Sequence, residues 1–452
     1  MSAGLIVALV TFLGGLICSV PLGWLFLGAP LFGSLADGVS FAFIPMTLYH
    51  AMNNSTILGI AVFVYAGSLI SDAGLADRIV RFSYALVGRV RGGMALVGVV
   101  AAVFMGALTG SSVPVISALI PLLVPRLKKY GYAPRYTTAV LCSSSFLGYL
   151  IPPSVPALIY CLLTQQSIAA LFLSTVFPGL LLALGYGILN YFICPNYVMP
   201  ELISAEVAAE MSRNQEIEAG GGRLKELLSA TWSALPALGC PALILTSIYG
   251  GLCTPNEAGA LAVGYSLFVG FFVYRELTIK KWWKATYHTV ISLGVIAILV
   301  LGGTVFARYL TKQGVAQQMT SFMLGLFHGK YMILLAVNLL FLFMGMFMEA
   351  IPIMLLGVPL VMPLMQELGV NMVHLGAMII VNVGLGVVTP PFAMSIFIGS
   401  RLSGCGYGEL VPIMMKFLLF VGIPVLLLTA YLPVLSCWLP EVMLGSMVVG
   451  PW

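Results

Sequence analysis

Long apolar runs separated by short polar clusters dominate the chain, and the runs are solid rather than alternating, as in LLAVNLLFLFMGMF over 334–347. Solid runs predict helices, because the strands of a membrane barrel would place a polar residue at every second position. A helix needs about 20 apolar residues to cross a bilayer core, and the chain has room for roughly ten or more. One segment breaks the pattern. Between Pro195 and Thr231 lie Glu201, Glu206, Glu210, Glu216 and Glu218, then Gly220–Gly222, then Arg223, Lys225 and Glu226. It reads as an amphipathic cytoplasmic linker over 195–231 between two apolar halves, 1–194 and 232–452.

The halves superimpose at a constant offset of 238 residues. Pro114 falls on Pro352, Pro121 on Pro359, Pro125 on Pro363, Gly131 on Gly369, Gly148 on Gly386, Pro152 on Pro390 and Pro153 on Pro391. Proline and glycine constrain or free the backbone rather than serve packing alone, so the coincidence predicts a repeated backbone, a signature of secondary transporters.

The basic residues orient the repeats. Arg78, Arg81, Arg89 and Arg91 precede the stretch 93–125, and Arg126, Lys128, Lys129 and Arg135 follow it. Both flanks are expected in the cytoplasm, and 33 residues are too few for two crossings. A re-entrant helical hairpin is therefore expected, with its tip at Thr109–Ser112. The matching stretch 331–363 has only Lys312 and Lys330 before it, and Gln366–Val373 after it holds Glu367 but no Lys or Arg. This hairpin is expected to enter from outside, with its tip at Met348, Glu349 and Ala350. The sequence thus predicts an all-α polytopic membrane protein of two inverted repeats, each with a hairpin and a broken helix, the latter over about 137–165 and about 375–400. Arg275, Lys280, Lys281, Lys284 and Arg401 are assigned to the cytoplasm, and both termini to the outside. Residues 1–55, with Pro21, Pro30, Asp37 and Pro45, are compatible with one crossing or two.

Hydrophobic residues make up 60% of the 452 and charged residues 8%, against roughly a quarter charged in soluble domains. The net charge of +5 resides in topogenic clusters, so no nucleic-acid partner is implied. The eight cysteines show no CxxC and no metal-like spacing with the four histidines, and read as small apolar residues. No cleavable signal is expected, since the first apolar run lacks a basic leader. HExxH, GxSxG and the P-loop GxxxxGK(S/T) are absent, so no enzyme is predicted.

Two motifs interrupt apolar segments at matching positions. Ser143, Ser144 and Ser145 lead to Pro152, Pro153 and Ser154; Asn382 leads to Thr389, Pro390, Pro391 and Ser395. A double proline removes two backbone donors and breaks the helix, and non-helical backbone at membrane depth is tolerated where it lines a cavity or is buried in protein. Its free carbonyls suit a hard cation such as Na⁺, while half-helix N-termini suit an anion. The alternative is a pair of kinks. The tip residues Gly110, Ser111 and Ser112 serve either a site or close helix packing. Glu349, an isolated acid in MGMFMEAIPIML, is either functional or an interfacial snorkelling acid. Sodium is expected near Ser112 and Ser154, and near Thr389 and Glu349. Glu257 after Thr254, Pro255 and Asn256 reads as a first-turn cap acid, and Arg308 and Arg401 either bind a carboxylate or serve as topogenic or snorkelling residues. His50, His288, His328 and His374 form no cluster.

FMGALTGSSVPVISALIPLLVPRLKKYGY, LGYLIPPSVPALIY, GGLCTPNEAGALAVGYSLFVGFFVYRE, MGMFMEAIPIMLLGVPLVMPL and VNVGLGVVTPPFAMSIFIGSRLSG together resemble the large membrane subunit of tripartite ATP-independent periplasmic (TRAP) transporters. The resemblance covers nearly the whole chain. It implies a sodium-coupled importer in the bacterial inner membrane, to which a periplasmic binding protein delivers a small anionic solute such as a carboxylate or sialic acid. It further implies a smaller four-helix membrane subunit, expected as a separate chain, and an elevator in which hairpins and broken helices form the moving part. Carried over by motif, the sodium regions fall on Ser111 and Ser112 with the backbone of Pro152–Ser154, and on Glu349 with Thr389–Pro391. Val113, Pro114 and Val115 depart from the Ala/Thr run that many members have after the tip. No cofactor is implied beyond Na⁺ as coupling ion. A symporter needing no binding protein, and an ion channel, are the competing readings.

Overall fold

The computed structural model describes residues 2–90, 92–199, 203, 223–327 and 329–452. The linker residues 204–222 lie outside the described residues; 223–231 are helical and continue into the second half.

The elements of the described residues are helical, apart from one isolated bridge between Tyr132 and Val198. Three helices occupy the N-terminal stretch: α1 (Ala3–Ile17), α2 (Leu22–Ala36) and α3 (Phe43–Met52). Next, α4 (Ser55–Asp72) continues α3 across a 54° bend, and α5 (Leu75–Val87) leads to a helical pair, α6 (Gly93–Thr109) and α7 (Ser112–Lys129). A broken segment follows, with α8 (Pro134–Ser144), a 3₁₀ turn Ser145–Tyr149, and α9 (Val155–Thr164). The half closes with α10 (Ile168–Ser174) and α11 (Val176–Ile193).

The second half opens with α12 (Arg223–Tyr249) and α13 (Pro255–Phe268), then the 34-residue α14 (Ile279–Lys312) and α15 (Val315–Leu326). Glu257 closes a capping box at the start of α13, its carboxylate accepting from the Thr254 amide at 2.7 Å. A second helical pair, α16 (Lys330–Gly345) and α17 (Ala350–Glu367), leads to a second broken segment, α18 (Met372–Gly386) and α19 (Met394–Ser403). The chain finishes with α20 (Tyr407–Phe417), α21 (Ile423–Tyr431), α22 (Val434–Leu444) and α23 (Ser446–Val449).

Among the described residues, six helical stretches are long and apolar enough to cross a membrane, and the bent α3–α4 pair adds a seventh. By contrast α6, α9, α16 and α18 are 10 to 17 residues long, at most about 25 Å of helix.

Matched turns end α7 and α17. Gly131 (φ +85°) and Gly369 (φ +60°) adopt left-handed backbone, which glycine enters without steric cost. One residue later, the Tyr132 amide donates to Leu127 O at 3.1 Å and the Val370 amide to Met365 O at 2.9 Å. All four positions are 238 apart in pairs. The halves also pack reciprocally: α9 lies against α17 and α18, whereas α19 lies against α7 and α8. Likewise α2 packs on α14, and α13 on α4. Both α8 and α18 are buried on every side, from Tyr136 to Ser144 and from Val373 to Gly386. That central position suits the apolar sequence of α18, whereas α8 buries Thr137, Thr138, Ser143 and Ser144 along with its apolar residues. At the other margin, Asp37 ties the chain start to the end of α14: it accepts from the Gly4 amide at 2.7 Å and from Gln313 Nε2 at 2.7 Å. These bonds hold its carboxyl below the ordinary range, the Gly4 amide contributing most.

Candidate functional site

In the first half the tip between α6 and α7 meets the break between α8 and α9. Gly110, left-handed at φ +60°, ends α6, and its carbonyl accepts from the Val155 amide at 3.3 Å. A Cβ at Gly110 would come 2.6 Å from Pro153 O, and one at Gly148 would come 3.0 Å from Ser111 O. A Cβ at Gly106 would collide with the Gly148 backbone. Small residues here bring main chain onto main chain. Ser112 Oγ shares a buried 2.9 Å hydrogen bond with Tyr149 Oη. Ser154 caps α9, its Oγ accepting from the Ala157 amide at 3.3 Å, and Pro152, Pro153 and Ser154 are all buried.

The second half repeats the backbone with other side chains. Gly345 meets Gly386 as Gly106 meets Gly148. Thr389 donates back to Leu385 O at 2.6 Å, and its amide donates to Gly386 O at 2.9 Å. Glu349 precedes α17 in extended backbone and is half-buried. Pro391 is exposed, its carbonyl accepting from Tyr407 Oη at 2.6 Å, and Phe392 meets Phe347 of the tip with ring centres 5.4 Å apart and planes tilted by 40°. Below the break, Asn382 Nδ2 donates at 2.8 Å to both Asn338 O and Asn338 Oδ1, leaving its own buried Oδ1 without a hydrogen-bond donor.

The residues anticipated as two separate sites touch. Ser145 Oγ, beside the first break, reaches Ser395 Oγ beyond the second at 3.5 Å, and Cys142 Sγ donates to Ser395 O at 3.3 Å. Ser144 stands apart, donating to Val140 O of its own helix at 2.9 Å. Tyr149, Asn338 and Cys142 were not singled out from the sequence. Tyr149 sits three residues before Pro152 and Asn338 is a lone amide inside an apolar run, a signal available in both cases. Among the described residues no group of three His, Cys, Asp or Glu converges. The donors present are hydroxyl, amide and carbonyl oxygens, the set preferred by hard cations. Because Thr389 and Ser144 spend their single proton on main-chain carbonyls, their lone pairs remain free to accept a positive charge.

Residues 8–435 match the family described as the tripartite ATP-independent periplasmic transporter, DctM component. The chain belongs to that family. It is 31% identical over 434 residues to the sialic acid TRAP transporter large permease protein SiaM of Vibrio cholerae, covering 96% of this chain and 97% of that one. It is also 31% identical to the C4-dicarboxylate TRAP transporter large permease protein DctM of the same organism, covering 97% of each. Among solved structures, the Neisseria gonorrhoeae transporter MtrF shares the fold, with a TM-score of 0.60 at 14% identity over 87% of this chain and 86% of that one. This TRAP permease is accordingly a multi-pass helical membrane protein that carries solute, and not an enzyme.

Proposed function

We propose that the permease drives sodium-coupled import of a small anionic solute, of the carboxylate or sialic acid class, across the bacterial inner membrane. A periplasmic binding protein delivers the solute, and a separate small membrane subunit completes the complex. The halves act as inverted repeats, with α6–α9 and α16–α19 together forming a body that slides against α1–α5 and α12–α15. Na⁺ sits between each tip and its break: near Ser112, Ser154 and the carbonyls of Gly110 and Ser111 on one side, and near Thr389, Glu349 and the backbone of Pro390 and Pro391 on the other. Asn382 and Ser395 support the second site, and Ser145 links it to the first.

The observation that carries this reading is the meeting of the breaks through Ser145 and Ser395. Ions held at both tips would share one small volume with the solute. Each bound cation lowers the cost of bringing an anion into a low-dielectric site, which couples ion and solute thermodynamically. Reciprocal packing of α9 on α17 and α18, and of α19 on α7 and α8, supports movement of both units as one body.

The test is uptake by the purified complex in proteoliposomes, with its binding protein, across succinate, sialic acid and related anions. Accumulation that requires both an inward sodium gradient and the binding protein is expected. Uptake indifferent to sodium, or to the binding protein, refutes the corresponding part of the proposal.

A further inference from the structure

We infer that a cavity of about 710 Å³ between α14, α3 and the far end of α9 receives the anionic group of the solute from outside, with Arg308 and Lys312 as its cationic clamp. This inference rests on the importer reading above.

The lining is built rather than incidental. Thr304, Arg308, Thr311 and Lys312 follow one face of α14 at spacings of four, seven and eight. His50 and Asn54 come from the bend between α3 and α4, and Gln165 from the turn after α9, where it holds left-handed backbone at φ +56°. Among the described residues no Asp or Glu lines the cavity. Among the described residues neither Arg308 nor Lys312 pairs with a carboxylate; Lys312 Nζ lies 4.3 Å from the Phe43 ring centre. Asp37, which reaches the neighbouring Gln313, is committed to Gly4, Gln313 and Ser2 and is not among the lining residues. Two exposed cations thus border an open cleft, more apolar than polar in its surface, whose described lining carries no carboxylate. Snorkelling accounts for a lone arginine near a helix end, but not for amides and an imidazole gathered around it from two further elements.

Position decides the role. Helix α14 has 34 residues, about 50 Å at 1.5 Å per residue, so its ends lie on opposite faces of a bilayer. Lys280, Lys281 and Lys284 mark the cytoplasmic end, and the cavity occupies the other. It straddles a seam: α3 and α14 form one wall, while Leu162, Leu163 and Pro359 belong to helices of the hairpin–break units. An anion there touches both groups of helices, and its passage inward accompanies their relative movement. The volume falls within the range of about 300–1,000 Å³ usual for small-molecule sites.

A soluble carboxylate and an anionic lipid headgroup share the required chemistry, and the test separates them. In the complex reconstituted in phosphatidylcholine, Thr311→Cys is placed in a background with Cys18, Cys253 and Cys405 changed to Ser. Its reaction with a negatively charged thiol reagent is compared with that of a neutral one of similar size. We expect the charged-to-neutral rate ratio to fall roughly tenfold when Arg308→Gln and Lys312→Gln are added, and succinate or sialic acid to slow the charged reagent. Arg308→Lys should retain most of the ratio. With binding protein present, Arg308→Gln should raise the solute concentration for half-maximal uptake more than it lowers the maximal rate. An unchanged ratio, or protection by added phosphatidylglycerol but by neither soluble anion, overturns the inference. Wild-type complex without sodium-driven uptake would refute the importer reading instead, and the labelling ratio would still report the anion site.

Discussion

The two hairpin–break units share a backbone and differ in how they are sealed. In the first, Ser112 is 2% and Ser154 1% exposed, the tip hydrogen-bonds to the break, and Tyr149 closes the contact from within. In the second, Pro391 is open, Phe392 is 57% exposed, Glu349 is half-buried, and tip meets break through a tilted phenylalanine pair. Glycine pairs fix the common geometry: only glycine at both Gly106 and Gly148, or at both Gly345 and Gly386, lets the main chains touch. The side chains around that frame decide access.

The largest effect is expected from the frame. Gly106→Leu and Gly345→Leu should each abolish uptake, since overpacking a main-chain contact costs about 1–3 kcal/mol and holds tip away from break. Uptake in proteoliposomes, beside a check of complex assembly, measures this; if one glycine tolerates leucine, the two frames are not equivalent. Next comes the charge. Glu349→Gln should raise the sodium concentration for half-maximal uptake about tenfold or more, because removing a charge at low dielectric changes ion affinity strongly. Glu441→Gln, near the chain end and bonded to Trp452, should leave it unchanged. Equal sodium dependence in both variants would make Glu349 an interfacial acid.

Smaller effects follow from single hydroxyls. Ser112→Ala and Thr389→Ala should each weaken sodium binding by about 1 kcal/mol, roughly fivefold; unchanged sodium titrations in both would assign these residues to packing. Tyr149→Phe sharpens the comparison, since it unpairs Ser112 in the sealed unit alone. It should lower thermal stability by about 0.5–1.5 kcal/mol, whereas Tyr407→Phe, at the exposed Pro391 carbonyl, should cost less because water replaces the bond. Equal losses would mean that the two units are sealed alike.

The distribution of proline and glycine made the frame legible in the sequence, because those residues act on their own backbone. Pro152–Pro153 and Pro390–Pro391 mark both breaks, and Gly131 and Gly369 both helix ends. Side-chain partnerships were less legible. Nothing in the spacing of Ser145 and Ser395, 250 residues apart, announces their contact; it arises from α9 and α19 crossing into the opposite half. Arg308 read as a snorkelling residue for a similar reason, since the polar groups of α3 and α9 join it only in three dimensions. The three helices before residue 53 were ambiguous in number because α1 and α2 have 15 residues each, short of the about 20 that mark a crossing.

Inversion of the halves underlies both proposed ion sites and the proposed sliding movement. Lys129 and Glu367, 238 residues apart, end α7 and α17, and both are exposed. Lys129→Cys and Glu367→Cys, each in a background lacking the exposed and half-buried native cysteines, can be labelled in intact spheroplasts with a membrane-impermeant thiol reagent before and after lysis. Inversion predicts that Glu367→Cys reacts in intact spheroplasts and Lys129→Cys only after lysis. Reaction of both positions from the same side would contradict it.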